Sequence, residues 1–249
     1  MNLAPHAETH PFNTQQLLQI HADTLFISDA AGRLRFNADP GYPEHELESA
    51  PRFWLGRTDQ GVLWRLRADL PADLHASLEA IAQTIPLRAD PMVLPPQIAA
   101  IQAVLAVHAP IYELATGPCY WMPQSLPVPA ITLVITPANA DALAAHFPWK
   151  QSQRALHAAG PLVATIVDQQ AVAVCYCARL NAVAAEAGVE TTESARGHGY
   201  AQAAVAGWAA AIRGLGILPM YSTSWDNYAS QGIARRLGMH EYADTCWIQ

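Results

Sequence analysis

The chain has 249 residues, a formal net charge of −7 at pH 7, and 51% hydrophobic against 14% charged residues. That is enough apolar material for one large domain or two small ones, and the acidic balance offers no basic face for nucleic acid or an anionic membrane. The four cysteines, Cys119, Cys175, Cys177 and Cys246, read as buried or free thiols of a reducing compartment, because Cys175-x-Cys177 is too closely spaced for a metal knuckle. Met1 to His10 lacks a basic stretch followed by an apolar core, and no apolar run of about 18 residues occurs, so a soluble cytoplasmic protein without a membrane segment is expected. The ten histidines show no paired ligand spacing, so no metal site is expected.

Residues 1–15 are polar and expected to fray. Leu17 to Ala22 reads as a short helix, and Leu25 to Ser28 with Leu34 to Phe36 as a hairpin around Asp29-Ala30-Ala31-Gly32. An irregular stretch runs from Asn37 to Pro51. Phe53 to Leu55 and Val62 to Leu66 read as strands about Asp59-Gln60-Gly61, followed by helices over Pro71 to Ile85 and Pro95 to Val107. Prolines then cluster at 110, 118, 123, 127 and 129, which marks a boundary or an elaborate connection. Ile131 to Thr136 reads as a strand and Pro137 to His146 as a helix. Leu162 to Val167 and Ala171 to Cys177 flank Asp168-Gln169-Gln170 as a hairpin, and Val183 to Thr191 reads as the next strand. A helix over 197–214 carries Ala201, Ala204, Val205, Trp208 and Ile212 on its apolar face, and Gly214 and Gly216 end it. Met220 to Ser224 is strand-like. Asp226 or Asn227 caps a final helix to Leu237, and a last strand lies within Tyr242 to Ile248.

The segment Arg196-Gly197-His198-Gly199-Tyr200-Ala201 closes a strand and opens that long helix. Glycines let the backbone turn tightly and approach a ligand closely, and the first helical turn presents open N–H groups at the positive end of the helix dipole. Together these suit a phosphate or pyrophosphate. The loop, the Asn227-headed helix and the Arg235-Arg236-Leu237-Gly238 ending, in that order over about residues 160–245, resemble the cofactor motif of the GNAT superfamily of acetyl-CoA-dependent acyltransferases. The resemblance implies an α/β (α+β) fold with a mixed, mostly antiparallel central sheet flanked by helices. It also implies two neighbouring strands that splay apart to admit the pantetheine arm as a pseudo-strand. Val189 and Thr191 would offer backbone groups to that arm, the amides from Gly197 through His198, Gly199 and Tyr200 to Ala201 would hold the pyrophosphate, Arg196 would add charge, and Asn227 would bond the arm. Met220 to Ser224 would be the splayed partner. The family often places a tyrosine seven residues after the Asn as proton donor, and here that position is Ala234, which leaves the donor unassigned: Tyr228, Tyr221 and Ser222 are nearby in sequence but none stands at the family position.

Residues 121–249 then form the acetyl-CoA-binding catalytic domain, and residues 1–120 an N-terminal accessory or degenerate acyltransferase-like half. In the latter Phe53, Trp54, Trp64, Tyr112, Tyr120 and Trp121 are candidates to line an acceptor pocket. The implied activity is N-acetyl transfer from acetyl-CoA to a primary amine in a direct ternary complex, with a homodimer left open. An alkyl ammonium must lose a proton before it attacks, and Glu190 and Glu186 are the candidate bases. They share one strand face unless Gly188 marks a bulge. The rival readings are a non-catalytic acyl-CoA-binding sensor or regulatory subunit, favoured by Ala234, and a structural protein whose glycine loop holds nothing.

Overall fold

The computed structural model describes residues 10–152 and 158–249. Of the start expected to fray, residues 1–9 lie outside these, and Thr14 already belongs to the first helix. Helix α1 spans Thr14–Leu25, three residues longer at its start than the apolar pattern indicates. Its opening is polar: Asn13 Oδ1 accepts from the Gln16 amide at 2.8 Å, and Gln16 Oε1 accepts from the Asn13 amide at 3.0 Å. This reciprocal capping box satisfies two amides that apolar periodicity does not register.

The hairpin β1 (Phe26–Ser28) and β2 (Leu34–Asn37) stands apart as a small sheet. Everything else joins one sheet of nine strands. They are β3 (Phe53–Arg57), β4 (Val62–Leu66), β5 (Leu114–Trp121), β6 (Thr132–Val134), β7 (Val163–Val167), β8 (Gln170–Leu180), β9 (Ala184–Thr191), β10 (Leu218–Ser222) and β11 (His240–Ile248). Their spatial order is β4-β3-β11-β5-β10-β9-β8-β7-β6. Among the described residues β9 and β10 form the one parallel pair of strands within this sheet. The remaining helices are α2 (Ala72–Ala82), α3 (Gln97–His108), α4 (Tyr200–Gly214) and α5 (Tyr228–Arg236). The mixed, mostly antiparallel sheet flanked by helices is the fold class the sequence implied.

Strand β5 corrects part of the reading of the proline cluster as a boundary or an elaborate connection: Pro123, Pro127 and Pro129 lie in the connection from β5 to β6, whereas Pro118 lies within β5, between β10 and β11 at the middle of the sheet. Proline is tolerated because β5 pairs with β10 only from Cys119 to Trp121, so Pro118 sits where that ladder ends. The expected division between residues 120 and 121 falls inside this strand. The two parts also exchange their last strands: β5 joins β10, while β11 pairs with β3 from Phe53 to Arg57.

The helix expected over Pro137 to His146 is instead one short 3-10 turn, Ala140–Leu143, flanked by irregular turns, and a second 3-10 turn, Pro148–Gln151, follows it. Asn139 is the cause. Its side chain accepts from the Thr136 amide at 2.7 Å and donates to Val134 O at 3.0 Å, a local turn that competes with helix propagation. The hairpin at 168–170 forms as expected, with Asp168 and Gln169 at positive φ as a tight turn between twisted strands demands.

The core lies in layers on the sheet. Trp208, Val205 and Ile212 of α4 pack on Ala185, Ala187 and Tyr221. On the opposite face α1 sets Leu17, Leu18 and Ala22 over Ala184, Cys119 and Tyr242. Helices α2 and α3 cover Phe53, Leu55, Cys246 and Ile248.

Candidate active site

The site begins where two strands part. β9 and β10 run in register from Leu218↔Ala184 to Met220↔Glu186, and no pairing between them continues beyond that among the described residues. β9 goes on to Thr191, still paired with β8 through Cys175↔Val189 and Ala173↔Thr191. Its other edge is therefore open from residue 187 onward, which leaves backbone N–H and C=O groups available to an extended ligand.

The glycine loop closes the mouth of this opening. Gly197 has φ +81° and Gly199, the N-cap of α4, has φ +80°. A side chain is strained at either, and at Gly197 an added Cβ would meet nothing within 4 Å, so the space beside the loop is open. No side chain caps α4, so its first amides point into that space. A cleft of about 920 Å³ runs from the loop to the strand opening, and its walls include Val189, Thr191, Arg196, Tyr200, Ala201 and Asn227. Thr192 Oγ1, on the same wall, is buried and has no hydrogen-bond partner within the protein. Arg236 brings a second cation that the motif reading did not single out. The loop amides, the two arginines and the unpaired strand edge fit a CoA thioester: an anionic group at one end and an amide-bearing arm at the other.

Asn227 caps α5 by accepting from the Ser230 amide at 3.1 Å, and it also lines the cleft. Replacing it with alanine is expected to cost about 1 kcal/mol of folding stability through the lost cap, measurable by urea denaturation. His198 is exposed. Its Nδ1 lies 2.9 Å from Arg196 O and its ring stacks on Tyr200, so it shapes the loop from outside.

A second cleft, about 790 Å³, opens on the other side of the sheet. The two share Ala187, Ser222 and Thr223, which places their junction at the strand opening. Leu25, Phe26, Trp54 and Trp247 give the second cleft apolar walls, and Glu48, Glu113 and Glu186 give it acid. Of the six aromatics proposed for an acceptor pocket, Trp54 lines this cleft. Phe53, Tyr120 and Trp121 are buried, Trp64 is partly buried, and Tyr112 is exposed. Gly117 stands at the floor, where an added Cβ would lie 1.7 Å from Thr223 O, so only glycine lets β5 pass the end of β10 this closely.

The two glutamates part company. The register irregularity near them lies in β8, between Cys177 and Arg179, and not at Gly188. Glu190 lines the first cleft and is held by Lys150, whose Nζ is 3.1 Å from its Oε1 and 3.2 Å above the Tyr176 ring. Glu186 is buried and lines the second cleft at the junction, where Ser222 Oγ donates to its Oε1 at 2.7 Å. Only Glu186 combines burial with access to the meeting point of the clefts.

Ala234, where the proton donor was missing, is fully buried beside Tyr221. Tyr221 lies on the face of β10 opposite Ser222, lines the first cleft, and its hydroxyl lies 2.6 Å from Ser230 Oγ, one helical turn before Ala234. Burial pushes this phenol up to about 12 against the hydrogen bond from Ser230, so it keeps its proton at neutral pH. Of the three residues the sequence places near the vacant position, Tyr228 is exposed, whereas Tyr221 is buried with its hydroxyl against α5.

A parallel pair that splays, with a glycine loop and an open helix terminus at its mouth, is the arrangement that the resemblance to the GNAT superfamily implied. No protein-family model and no curated protein matches the chain. Among solved structures the chain is similar to an acetyltransferase of the GNAT family from Colwellia psychrerythraea, with 15% identity, TM-score 0.46 and 94% of each chain covered. It is similar also to a GCN5-related N-acetyltransferase-like protein from Streptococcus suis, with 16% identity, TM-score 0.44 and 80% of this chain and 85% of that one covered. A tandem GNAT protein from the clavulanic acid biosynthesis pathway shares 14% identity at TM-score 0.44, over 75% of this chain and 73% of that one. Likenesses this remote carry over neither substrate nor mechanism.

Proposed function

We propose that the chain is an N-acetyltransferase that moves an acetyl group from acetyl-CoA to a primary amine by direct transfer in a ternary complex. The observation that carries this reading is the parting of β9 from β10 after Glu186, at the point where a cofactor-shaped cleft meets an acid-lined one. Bound in the first cleft, the cofactor supplies an acyl group activated as a thioester. The loop amides with Arg196 and Arg236 hold its phosphates, and the open edge of β9 at Val189 and Thr191 orients its arm. The amine enters by the second cleft, where Glu48 and Glu113 favour a cationic acceptor. Glu186 accepts the proton the nitrogen must lose. Tyr221, on the opposite face of the sheet, donates a hydrogen bond where the sulfur departs. Base and acid thus stand on separate faces, so neither neutralises the other.

Calorimetric titration with acetyl-CoA, followed by thiol release across a panel of primary amines and polyamines, tests this. Saturable binding with amine-dependent turnover is expected in the native chain, and Gly199→Trp is expected to abolish binding by filling the loop and straining a positive φ. Absence of binding removes the proposal. Binding without turnover on any amine establishes the sensor reading that Ala234 favours.

A further inference from the structure

Glu186 is the inner end of a longer buried array. Its Oε2 lies 3.1 Å from His21 Nε2, with side-chain exposures of 6% and 1%. His21 Nδ1 in turn lies 2.8 Å from the Tyr242 hydroxyl, itself buried. The chain Tyr242–His21–Glu186–Ser222 therefore runs from the interior to the junction of the two clefts, drawing on β11, α1, β9 and β10 in turn. The groups that face His21 are Glu186 from β9, Tyr242 from β11 and Cys119 from β5. A histidine buried on the apolar face of a helix has no packing reason to be there, because leucine at that place would pack without any polar debt.

We infer that His21 is a positioning residue for the reaction, a cationic partner that keeps the Glu186 carboxylate aimed at Ser222, with Tyr242 fixing the ring from behind. The N-terminal helix is thereby part of the active site and more than a cover for the sheet. The inference rests on the acetyltransferase reading for its kinetic consequence, but the ion pair itself is a property of the free protein. The arrangement tolerates either protonation state of the ring. When the ring is cationic, Nδ1–H donates to the Tyr242 oxygen. When it is neutral, the Tyr242 hydroxyl donates to Nδ1, and in both states Nε2 stays 3.1 Å from Glu186 Oε2, a charge contact when the ring is cationic. Burial works against the charge on His21, but Cys119 and Glu186 against the ring outweigh it and raise the imidazole to about 10.

The sign of the linkage follows. A histidine whose pKa is raised on folding contributes stability in full below its unfolded value near 6.5, and that contribution fades as pH rises toward about 10. The stability gap between the native chain and His21→Gln is therefore expected to be widest at pH 6 and to narrow steadily toward pH 10.

The test has two arms. Without any ligand, an NMR titration of the imidazole signal that disappears in His21→Gln is expected to show His21 protonated well above pH 7. In Glu186→Gln the same signal is expected to titrate lower by more than one pH unit. With acetyl-CoA and an accepted amine, His21→Gln is expected to leave acetyl-CoA affinity unchanged, lower kcat about tenfold or more, and move the acid limb of the kcat/KM profile upward, since a buried carboxylate that loses a cationic partner ionises less readily. Tyr242→Phe is expected to give a smaller shift in the same direction. A His21 signal that titrates normally, or one indifferent to Glu186→Gln, overturns the inference, as does a native pH profile in His21→Gln. Should turnover be absent from the native chain, the acetyltransferase reading fails while the ligand-free titration still decides the ion pair. Should His21→Gln not fold, Glu186→Gln and Tyr242→Phe carry the titration.

Discussion

Replacing Glu186 with glutamine is expected to reduce turnover by a factor of about 10² to 10⁴ while leaving acetyl-CoA binding as it was, the range typical of removing a positioned general base. The substitution preserves shape and keeps an acceptor for Ser222 Oγ at 2.7 Å, so the strand opening keeps its geometry. What vanishes is the carboxylate at the junction that is proposed to take a proton from the incoming nitrogen. The effect falls on kcat because Glu186 lines the second cleft and not the first, whose loop, arginines and strand edge remain intact. Glu190→Gln is the control. That carboxylate lines the first cleft in an ion pair with Lys150, and its removal is expected to leave kcat close to the native value. Thiol-release kinetics with both variants at saturating acetyl-CoA settle the assignment. Near-native turnover in Glu186→Gln, or a collapse in Glu190→Gln, gives the base role to another group.

What the sequence disclosed follows from how local each feature is. The glycine loop was legible because positive φ at Gly197 and Gly199 is a demand that few residues meet. Asn227 was legible because a helix cap is written in four consecutive residues, and the 168–170 hairpin because its turn is. Two misses are local, the capping box that starts α1 early and the Asn139 turn that stops a helix, and the others are matters of tertiary pairing. Leu114–Trp121 looks broken at Pro118 and is a strand only because β10 and β11 flank it. Gly117 carries no signal in sequence, and only the fold shows that the backbone of Thr223 requires a glycine there. The same limit hid the base array. His21 and Glu186 lie 165 residues apart in the chain, and the carboxylate nearest in sequence, Asp23, bonds Gln19 instead. Tyr221 could be named as near the vacant position 234 but not chosen over Tyr228 or Ser222, because the contact of its hydroxyl with Ser230 depends on how β10 packs on α5.

Residues 121–249 expressed alone are expected not to fold, although they contain every element of the acetyl-CoA motif. The reason is the exchange of last strands. Without β5, β10 loses its neighbour from Met220 to Ser222, and β11 loses its partner from His240 to Ile248. Without β3, β11 loses its other edge as well. A strand bare on both edges, carrying Tyr242, Ala243, Cys246, Trp247 and Ile248, is an invitation to aggregate. Asp244 would lose Arg57, whose Nη2 and Nε bind it at 2.8 and 3.0 Å in the interior. The inward side chains Cys246 and Ile248 would lose Phe53, Leu55 and Leu105. The array behind Glu186 would go too, because His21 lies in the deleted part. A truncated chain is thus expected to show no cooperative thermal transition and no acetyl-CoA binding. Cutting instead in the connection between β5 and β6, and expressing both pieces together, keeps each exchanged strand with its own piece and is expected to give a stable complex that melts as one unit. A cooperative transition for 121–249 alone would mean that the exchanged strands are ornament, and that the N-terminal part folds beside the acetyl-CoA cleft without helping to build it.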